Sequence, residues 1–163
     1  LAGLALARAL GGKTLSQYAS EKIWAPSGME QDAVWLVDAA GQERASCCIA
    51  MTLRDYARFG LFVLEGGKVD GKDILPANWS DEATTNQLNR GAKGSYGYLW
   101  QPGDGSSYRS TGRFGQGLFV YPEENLVVAV NAASNKPGDE AQAAAQAAIV
   151  SAVREAARSV KPG

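Results

Sequence analysis

Histidine is absent from this chain of 163 residues, and its absence removes several chemistries at once. A Ser–His–Asp triad, a Cys–His dyad and a histidine-based zinc site cannot be built from these residues. An excess of one charge sign is also lacking, because 16 lysines and arginines stand against 17 aspartates and glutamates. Nucleic-acid-binding domains carry a basic stripe, so we expect no nucleic-acid partner.

Long apolar runs are missing as well. The longest stretch without a charged residue covers residues 141–153, and it consists mostly of Ala and Gln. It is too short and too weakly apolar to cross a bilayer, so we expect no membrane span. The remaining composition, 45% apolar and 20% charged, is typical of a globular protein.

Cysteine is scarce, and the two that occur, Cys47 and Cys48, are neighbours. Adjacent cysteines rarely bond to each other, because the small ring strains the peptide between them. We therefore expect a packed pair of thiols in a loop, with a functional thiol as the alternative. A thiolate metal site needs two more cysteines, so we expect no metal and no cofactor. The cysteine content therefore does not indicate in which cellular compartment the protein is found.

The chain order of predicted elements is helices, then antiparallel strands, then a terminal helix, which is an α+β plan. Capping-box patterns begin at Thr14 and Thr52, and Pro76 fits the first position of a short helix. The predicted helices cover residues 1–10, 15–24, 52–65, a short segment from 76, and 139–160. Strand patterns cover residues 96–100 and a hairpin of 117–121 with 126–130.

The last predicted helix has an alanine-rich apolar face that we expect to lie on the sheet. The members of this face are Ala145, Ala148, Ile149, Ala152, Val153, Ala156 and Val160. About three strands make a small sheet for so many helices, so we expect the sheet to have a further partner.

Four segments in order carry a family resemblance. They are residues 12–29, with Lys22-Ile23-Trp24-Ala25-Pro26; residues 45–60; Tyr96-Gly97-Tyr98-Leu99-Trp100; and residues 110–123, beginning Ser110-Thr111-Gly112. Together they resemble the serine β-lactamase-related superfamily of penicillin-binding proteins, class C β-lactamases and 6-aminohexanoate-dimer hydrolases. The 6-aminohexanoate-dimer hydrolase branch is the best match. The resemblance implies that residues 1–163 are a single partial domain, the C-terminal half of a β-lactamase-like fold.

The family's nucleophile and base sit in a Ser-x-x-Lys helix, one helical turn apart. No serine in this chain has a lysine three residues later. Tyr18-Ala19-Ser20 matches the family's Tyr-x-Ser motif by letter, but it lies inside a predicted helix. The resemblance thus implies that the chain begins downstream of both groups, and that it is inactive alone.

Ser110, Thr111 and Gly112 occupy the place of the family's Lys-Thr-Gly strand, and the resemblance gives that strand a catalytic role. The backbone N–H of the next residue, Arg113, would face the developing oxyanion, a donor typically worth about 3 kcal/mol of transition-state stabilisation. Ser110 replaces the usual Lys or His, which argues against recognition of a β-lactam carboxylate. Tyr96 and Trp100 are candidate substrate contacts, and the alternative is that these aromatic side chains belong to the core.

Two functions stay open. The first is the C-terminal part of a serine hydrolase that cleaves small amides or esters through an acyl-enzyme. The second is a non-catalytic binding module that kept this half of the fold. In the family the sheet is completed by strands from the N-terminal segment. We therefore expect the isolated chain to self-associate or to pair with that segment.

Overall fold

The computed structural model describes residues 1–89 and 94–160, and the chain separates into two compact units, residues 1–58 and 59–163. The predicted α+β plan is confirmed. The helices are α1 (Ala2–Ala9), α2 (Leu15–Ala19), α3 (Leu53–Leu64), α4 (Trp79–Thr84) and α5 (Glu140–Ser159). No helix in the described part of the chain is long and apolar enough to cross a membrane.

Short antiparallel strand pairs accompany one larger sheet. The strands are β1 (Val34–Trp35), β2 (Ile49–Ala50), β3 (Lys68–Val69), β4 (Lys72–Asp73), β5 (Leu88–Asn89), β6 (Ser95–Tyr96), β7 (Gln101–Pro102), β8 (Tyr108–Thr111), β9 (Gly117–Tyr121) and β10 (Leu126–Val130). The pairs are β1–β2, β3–β4 and β5–β6, and the larger sheet has the order β10-β9-β8-β7.

In the first unit, α2 begins with the predicted capping box. Thr14 Oγ1 accepts a hydrogen bond from the Gln17 N–H at 3.1 Å, and Gln17 Oε1 accepts one from the Thr14 N–H at 3.0 Å. Each side chain satisfies an end N–H that the helix leaves unpaired. The helix then continues as a π-helical turn, Ser20–Trp24, and ends before Pro26, as predicted.

The first turn of α3 contains a fully buried carboxylate, that of Asp55. Its oxygens accept hydrogen bonds from the Glu30 N–H at 2.8 Å, the Gln31 N–H at 3.1 Å, the Thr52 hydroxyl at 2.8 Å and Arg58 Nη1 at 3.1 Å. The bond from the Glu30 N–H contributes most to a lowered pKa of Asp55. Asp55 thereby ties the chain at residues 30 and 31 to the start of α3.

The expectation of two thiols at Cys47 and Cys48 is wrong, because the structure joins them in a disulfide. Cys48 adopts a left-handed backbone with φ 81°. Ring strain alone disfavours a bond between neighbours. The left-handed backbone that accompanies the bond cannot be read from the two residue types.

In the second unit, the predicted hairpin is confirmed with the expected strand bounds. Tyr121 pairs with Leu126 across a 3-10 turn, Pro122–Glu124, and the register runs on to Gly117 opposite Val130. The turn ends at Asn125, whose φ of 48° is left-handed. Asparagine tolerates this conformation better than most residues do, so it suits the position.

Two predicted elements of this unit need correction. The aromatic segment 96–100 is not one strand, because Leu99 has a left-handed φ of 69° that an extended strand cannot contain. Strand β6 therefore ends at Tyr96 and β7 begins at Gln101. Helix α4 begins at Trp79 rather than at Pro76, because Asn78 is left-handed with φ 65°.

Strand β9 is buried on both faces of the sheet. Leu118 lies beside Gly60 of α3, where a Cβ would overlap the Leu118 side chain, so glycine permits the close approach. On the opposite face, Phe119 packs with Val128 and with Val150 of α5. Within this unit the sheet thus lies between residues of α3 and α5.

Helix α5 does not use the face that the sequence pattern predicts. Val150 is its buried residue, whereas Ile149, Val153 and Val160 are 58%, 40% and 71% exposed. The inward positions include Gln146, whose amide donates a hydrogen bond to the Gly115 carbonyl at 2.7 Å. A polar contact and one valine orient the helix, and the alanine-rich face points away from the sheet.

The C-terminal half of α5 is tied to the β9–β10 turn by one carboxylate. Glu124 Oε1 accepts hydrogen bonds at 2.7 Å from Nε of Arg154 and from Nε of Arg158. The Arg154 guanidinium also lies 4.3 Å from the centre of the Tyr121 ring. The bond from Arg154 contributes most to lowering the pKa of Glu124, and the bond from Arg158 adds to it.

Candidate active-site strand

Strand β8 carries Ser110 and Thr111, two of the four predicted catalytic residues, and lies inside the sheet, between β7 and β9. Ser110 pairs with Leu118 and Thr111 pairs with Gly117. Because side chains alternate along a strand, Ser110 and Thr111 point to opposite faces. Ser110 is on the face of the buried Leu118, and Thr111 is on the α5 face with Phe119.

The chain leaves β8 through a tight turn of residues 112–115. The Gly115 N–H donates to the Gly112 carbonyl at 3.3 Å, and the Gly112 N–H donates to the Gln116 carbonyl at 2.7 Å. The Gln116 side chain accepts from the Phe114 N–H at 3.1 Å. Gly115 is left-handed with φ 89°. Gln116 therefore holds the turn through both its backbone and its side chain.

Arg113 is the second residue of this turn, and its two backbone groups differ. Its carbonyl accepts a hydrogen bond from the Gly138 N–H at 3.1 Å. Its N–H has no acceptor among residues 1–89 and 94–160. The residue is exposed. An oxyanion donor has to be held in place and free to bond the substrate, and the Arg113 N–H has no competing acceptor among the described residues.

A cleft of about 320 Å³ lies between this turn and the N-terminal half of α5. Thr111, Gly112 and Arg113 line it together with Gln116 and Gln146, and Ser110 is not among the lining residues. The structure thus brings three of the four predicted catalytic residues to one cleft. A Cβ at Gly112 would overlap the Gln116 side chain, so glycine is needed at this position.

The two predicted substrate contacts have different surroundings. Trp100 is 8% exposed, and its ring packs edge-to-face on Tyr108 with 5.2 Å between the ring centres. Tyr96 is partly buried in β6, where it pairs with Leu88. Neither lines the cleft beside α5. Contact between substrate and Tyr96 or Trp100 stays a prediction.

Two glutamines support the turn and were not assigned a role from sequence. Gln116 holds the Phe114 N–H, and Gln146 reaches from α5 to the Gly115 carbonyl. Gln116 belongs to a segment that resembles the family, and this resemblance could have singled it out from the sequence. Gln146 lies in an alanine-rich helix 31 residues from Gly115, and no local pattern predicts that contact.

Comparison with known proteins shows to which family the chain belongs. A profile of the beta-lactamase family matches residues 1–152. The chain belongs to the beta-lactamase family. The resemblance in the four sequence segments is thereby confirmed.

Two relatives of this beta-lactamase-family chain carry a shared name. The 6-aminohexanoate-dimer hydrolase of Paenarthrobacter ureafaciens is 29% identical over 121 residues, which are 67% of this chain and 31% of that protein. The structure of the "Putative 6-aminohexanoate-dimer hydrolase from Bacillus anthracis" superposes with a TM-score of 0.75 at 29% identity, covering 88% of this chain and 39% of that one. The chain thus spans about a third of the length of these relatives.

Proposed function

We propose that these residues are the C-terminal part of one serine hydrolase domain, to which both compact units belong. The domain cleaves amide or ester bonds of small molecules through an acyl-enzyme, and its nucleophile lies outside these 163 residues. The main support is the backbone N–H of Arg113, an exposed residue in the turn after a central strand, because this N–H has no acceptor among residues 1–89 and 94–160. Membership of the beta-lactamase family adds the chemical precedent.

The residues of β8 and its turn have distinct roles in this proposal. The Arg113 N–H donates to the oxyanion that forms when a nucleophile attacks the substrate carbonyl. Gly112 leaves room for the Gln116 side chain, which holds the turn that carries this N–H. Thr111 lines the adjoining cleft. Ser110 occupies the position where the family usually has Lys or His, and its side chain is uncharged. A substrate lacking a carboxylate at that point is therefore favoured.

The isolated 163-residue chain is expected to show no acylation by a fluorophosphonate probe. It has no serine with a lysine three residues later, so the family's nucleophile and base pair is absent from these residues. Intact-mass spectrometry after incubation measures the adduct, with an active serine hydrolase as the positive control. A stoichiometric adduct on the folded chain would show that these residues contain their own nucleophile.

A non-catalytic binding module is the second candidate, and the absence of Ser-x-x-Lys in this chain is what favours it. The coding sequence ahead of Leu1 separates the two. Ser-x-x-Lys, followed at a distance by Tyr-x-Asn or Tyr-x-Ser, supports the hydrolase. A preceding sequence without these motifs supports the module.

We also propose that the exposed apolar face of α5 makes the isolated chain self-associate. The face includes Ile149 and Val153. Ile149→Glu is expected to reduce the mass measured by light scattering toward that of one chain, because it places a charge in the apolar contact. Asn135→Glu adds the same charge at an exposed loop position and is expected to leave the assembly unchanged.

The wild-type chain at high concentration is the reference for this experiment. A strictly monomeric wild type contradicts self-association. An assembly that Ile149→Glu and Asn135→Glu weaken equally contradicts the role of the α5 face.

A further inference from the structure

The disulfide between Cys47 and Cys48 lies on an exposed loop of the first unit, directly before β2. Both cysteines are exposed, so a dissolved thiol can reach the bond. Neither residue has a role in the proposed hydrolase chemistry.

This disulfide is poorly suited to stabilising the fold. A cross-link stabilises a protein mainly by restricting its unfolded chain, and the effect grows with the length of the closed loop. Neighbouring cysteines enclose no intervening residue, so the restriction is minimal. Their Cα atoms are 3.7 Å apart, because one peptide bond joins them. Ordinary disulfides span about 4.4–6.8 Å between Cα atoms, and bonds outside that range are more easily reduced.

The backbone of the same loop is connected to the β1–β2 pair. The Cys48 carbonyl accepts a hydrogen bond from the Leu36 N–H at 3.0 Å, which extends the pairing of Trp35 with Ile49 by one residue. The Leu36 carbonyl in turn accepts from the Arg44 N–H at 2.9 Å. The position of the Cys48 carbonyl thus affects how strongly the Leu36 amide is protected from hydrogen exchange with solvent.

Cys48 holds that carbonyl in place from a left-handed conformation with φ 81°. A residue with a Cβ disfavours this region, and we expect the closed ring of the disulfide to keep Cys48 in it. Opening the ring removes the restraint. Cys48 can then return to a right-handed or extended backbone, and the Leu36 amide loses its acceptor.

We propose that Cys47–Cys48 is a reversible modification site that exchanges with small soluble thiols and controls the end of the β1–β2 pair. A thiolate attacks one cysteine sulfur, the disulfide breaks, and the released cysteine thiolate takes up a proton. A second thiol attacks the mixed disulfide and releases the other cysteine as a thiol. The protein gains two electrons and two protons, and the two small thiols become one disulfide.

The test combines thiol counting with hydrogen exchange on the native chain. Reduced glutathione is the probe, and after its removal by rapid gel filtration Ellman's reagent measures the free thiols of the chain without denaturant. Two thiols per chain are expected, together with exchange at the Leu36 amide that is at least about tenfold faster. Oxidised glutathione is expected to restore the slow exchange and to remove both thiols. Thiols that appear only in denaturant would overturn the proposal, as would reduction that leaves Leu36 exchange unchanged.

Two double variants separate the redox event from the backbone conformation. Cys47→Ala with Cys48→Gly keeps a residue that adopts a left-handed φ freely, so slow Leu36 exchange is expected with or without glutathione. Cys47→Ala with Cys48→Ala is expected to show fast exchange in both conditions. Circular dichroism verifies that both variants fold. Equal Leu36 exchange in the two folded variants would contradict the link between Cys48 and this amide.

Discussion

In the complete hydrolase that we propose, Arg113→Pro is expected to lower kcat about 100- to 1,000-fold, a cost of about 3–4 kcal/mol in the transition state. Proline has no N–H, so the variant removes the proposed oxyanion donor. The ground-state carbonyl carries less charge than the oxyanion. The loss should therefore fall mainly on kcat rather than on KM.

The turn makes this backbone deletion possible. Arg113 is the second residue of the 112–115 turn, a position that proline favours because of its fixed φ. Arg113→Ala keeps the N–H and removes only the side chain, so it is the matched control and is expected to retain kcat within about threefold. A folded Arg113→Pro variant as active as Arg113→Ala would rule out this N–H as the donor.

Asp55→Ala is expected to lower the midpoint of thermal unfolding by roughly 5–10 °C. The substitution leaves the Glu30 and Gln31 N–H groups, the Thr52 hydroxyl and Arg58 without the carboxylate that accepts their hydrogen bonds. The hydrogen bonds of one fully buried carboxylate are lost together, which is why the loss is large for one side chain. Calorimetry or thermal circular dichroism measures the midpoint.

Asp32→Ala provides the control for the charge change alone. Asp32 is exposed, so its variant is expected to unfold within about 1–2 °C of wild type. Equal destabilisation by Asp32→Ala and Asp55→Ala would contradict the role of the buried carboxylate.

Acid provides an independent test of Asp55. Its pKa is lowered in the folded chain, chiefly by the Glu30 N–H, so the ionised form stabilises the fold. This contribution is complete above the ordinary aspartate pKa of about 3.9, and it is lost as the pH falls through the lowered folded value. Wild type should therefore lose more stability than Asp55→Ala across that range. Parallel acid unfolding curves for the two proteins would contradict this.

Local signals predicted much of the fold. The capping box at Thr14 and the hairpin around Pro122–Glu124 depend on neighbouring residues, and both were found as expected. The exposed apolar face of α5 shows where local signals are insufficient. Periodicity identifies an apolar stripe on a helix but not the surface that packs against it. The face of α5 that packs on the sheet contains Val150 and Gln146, and Gln146 contacts a loop that is distant in sequence.

Backbone conformation accounts for two other errors. The left-handed φ values at Leu99 and Cys48 occur at residue types that usually avoid this region. Leu99 ends the aromatic strand, and Cys48 accompanies a disulfide that the ring-strain argument disfavoured. At Cys48 the left-handed backbone accompanies a bond between neighbouring residues, and the residue types alone reveal neither that bond nor the conformation of Leu99.

The candidate site was partly accessible from sequence. The segment 110–113 could be located by its family likeness. The structure adds the hydrogen-bonded turn and an Arg113 N–H that no acceptor in the described part of the chain occupies. The alternation along β8, which separates Ser110 from Thr111, depends on strand register. The support from Gln146 depends on a contact between residues 31 positions apart.

The most direct test of the proposed function is a crystal structure of the complete hydrolase acylated by a slowly turned-over ester or amide. The proposal predicts that the acyl carbonyl oxygen lies about 2.7–3.1 Å from the Arg113 nitrogen. It also predicts that the acylated serine lies ahead of Leu1 in the chain. An acyl oxygen bound by other donors, with the Arg113 N–H still unpaired, would contradict it.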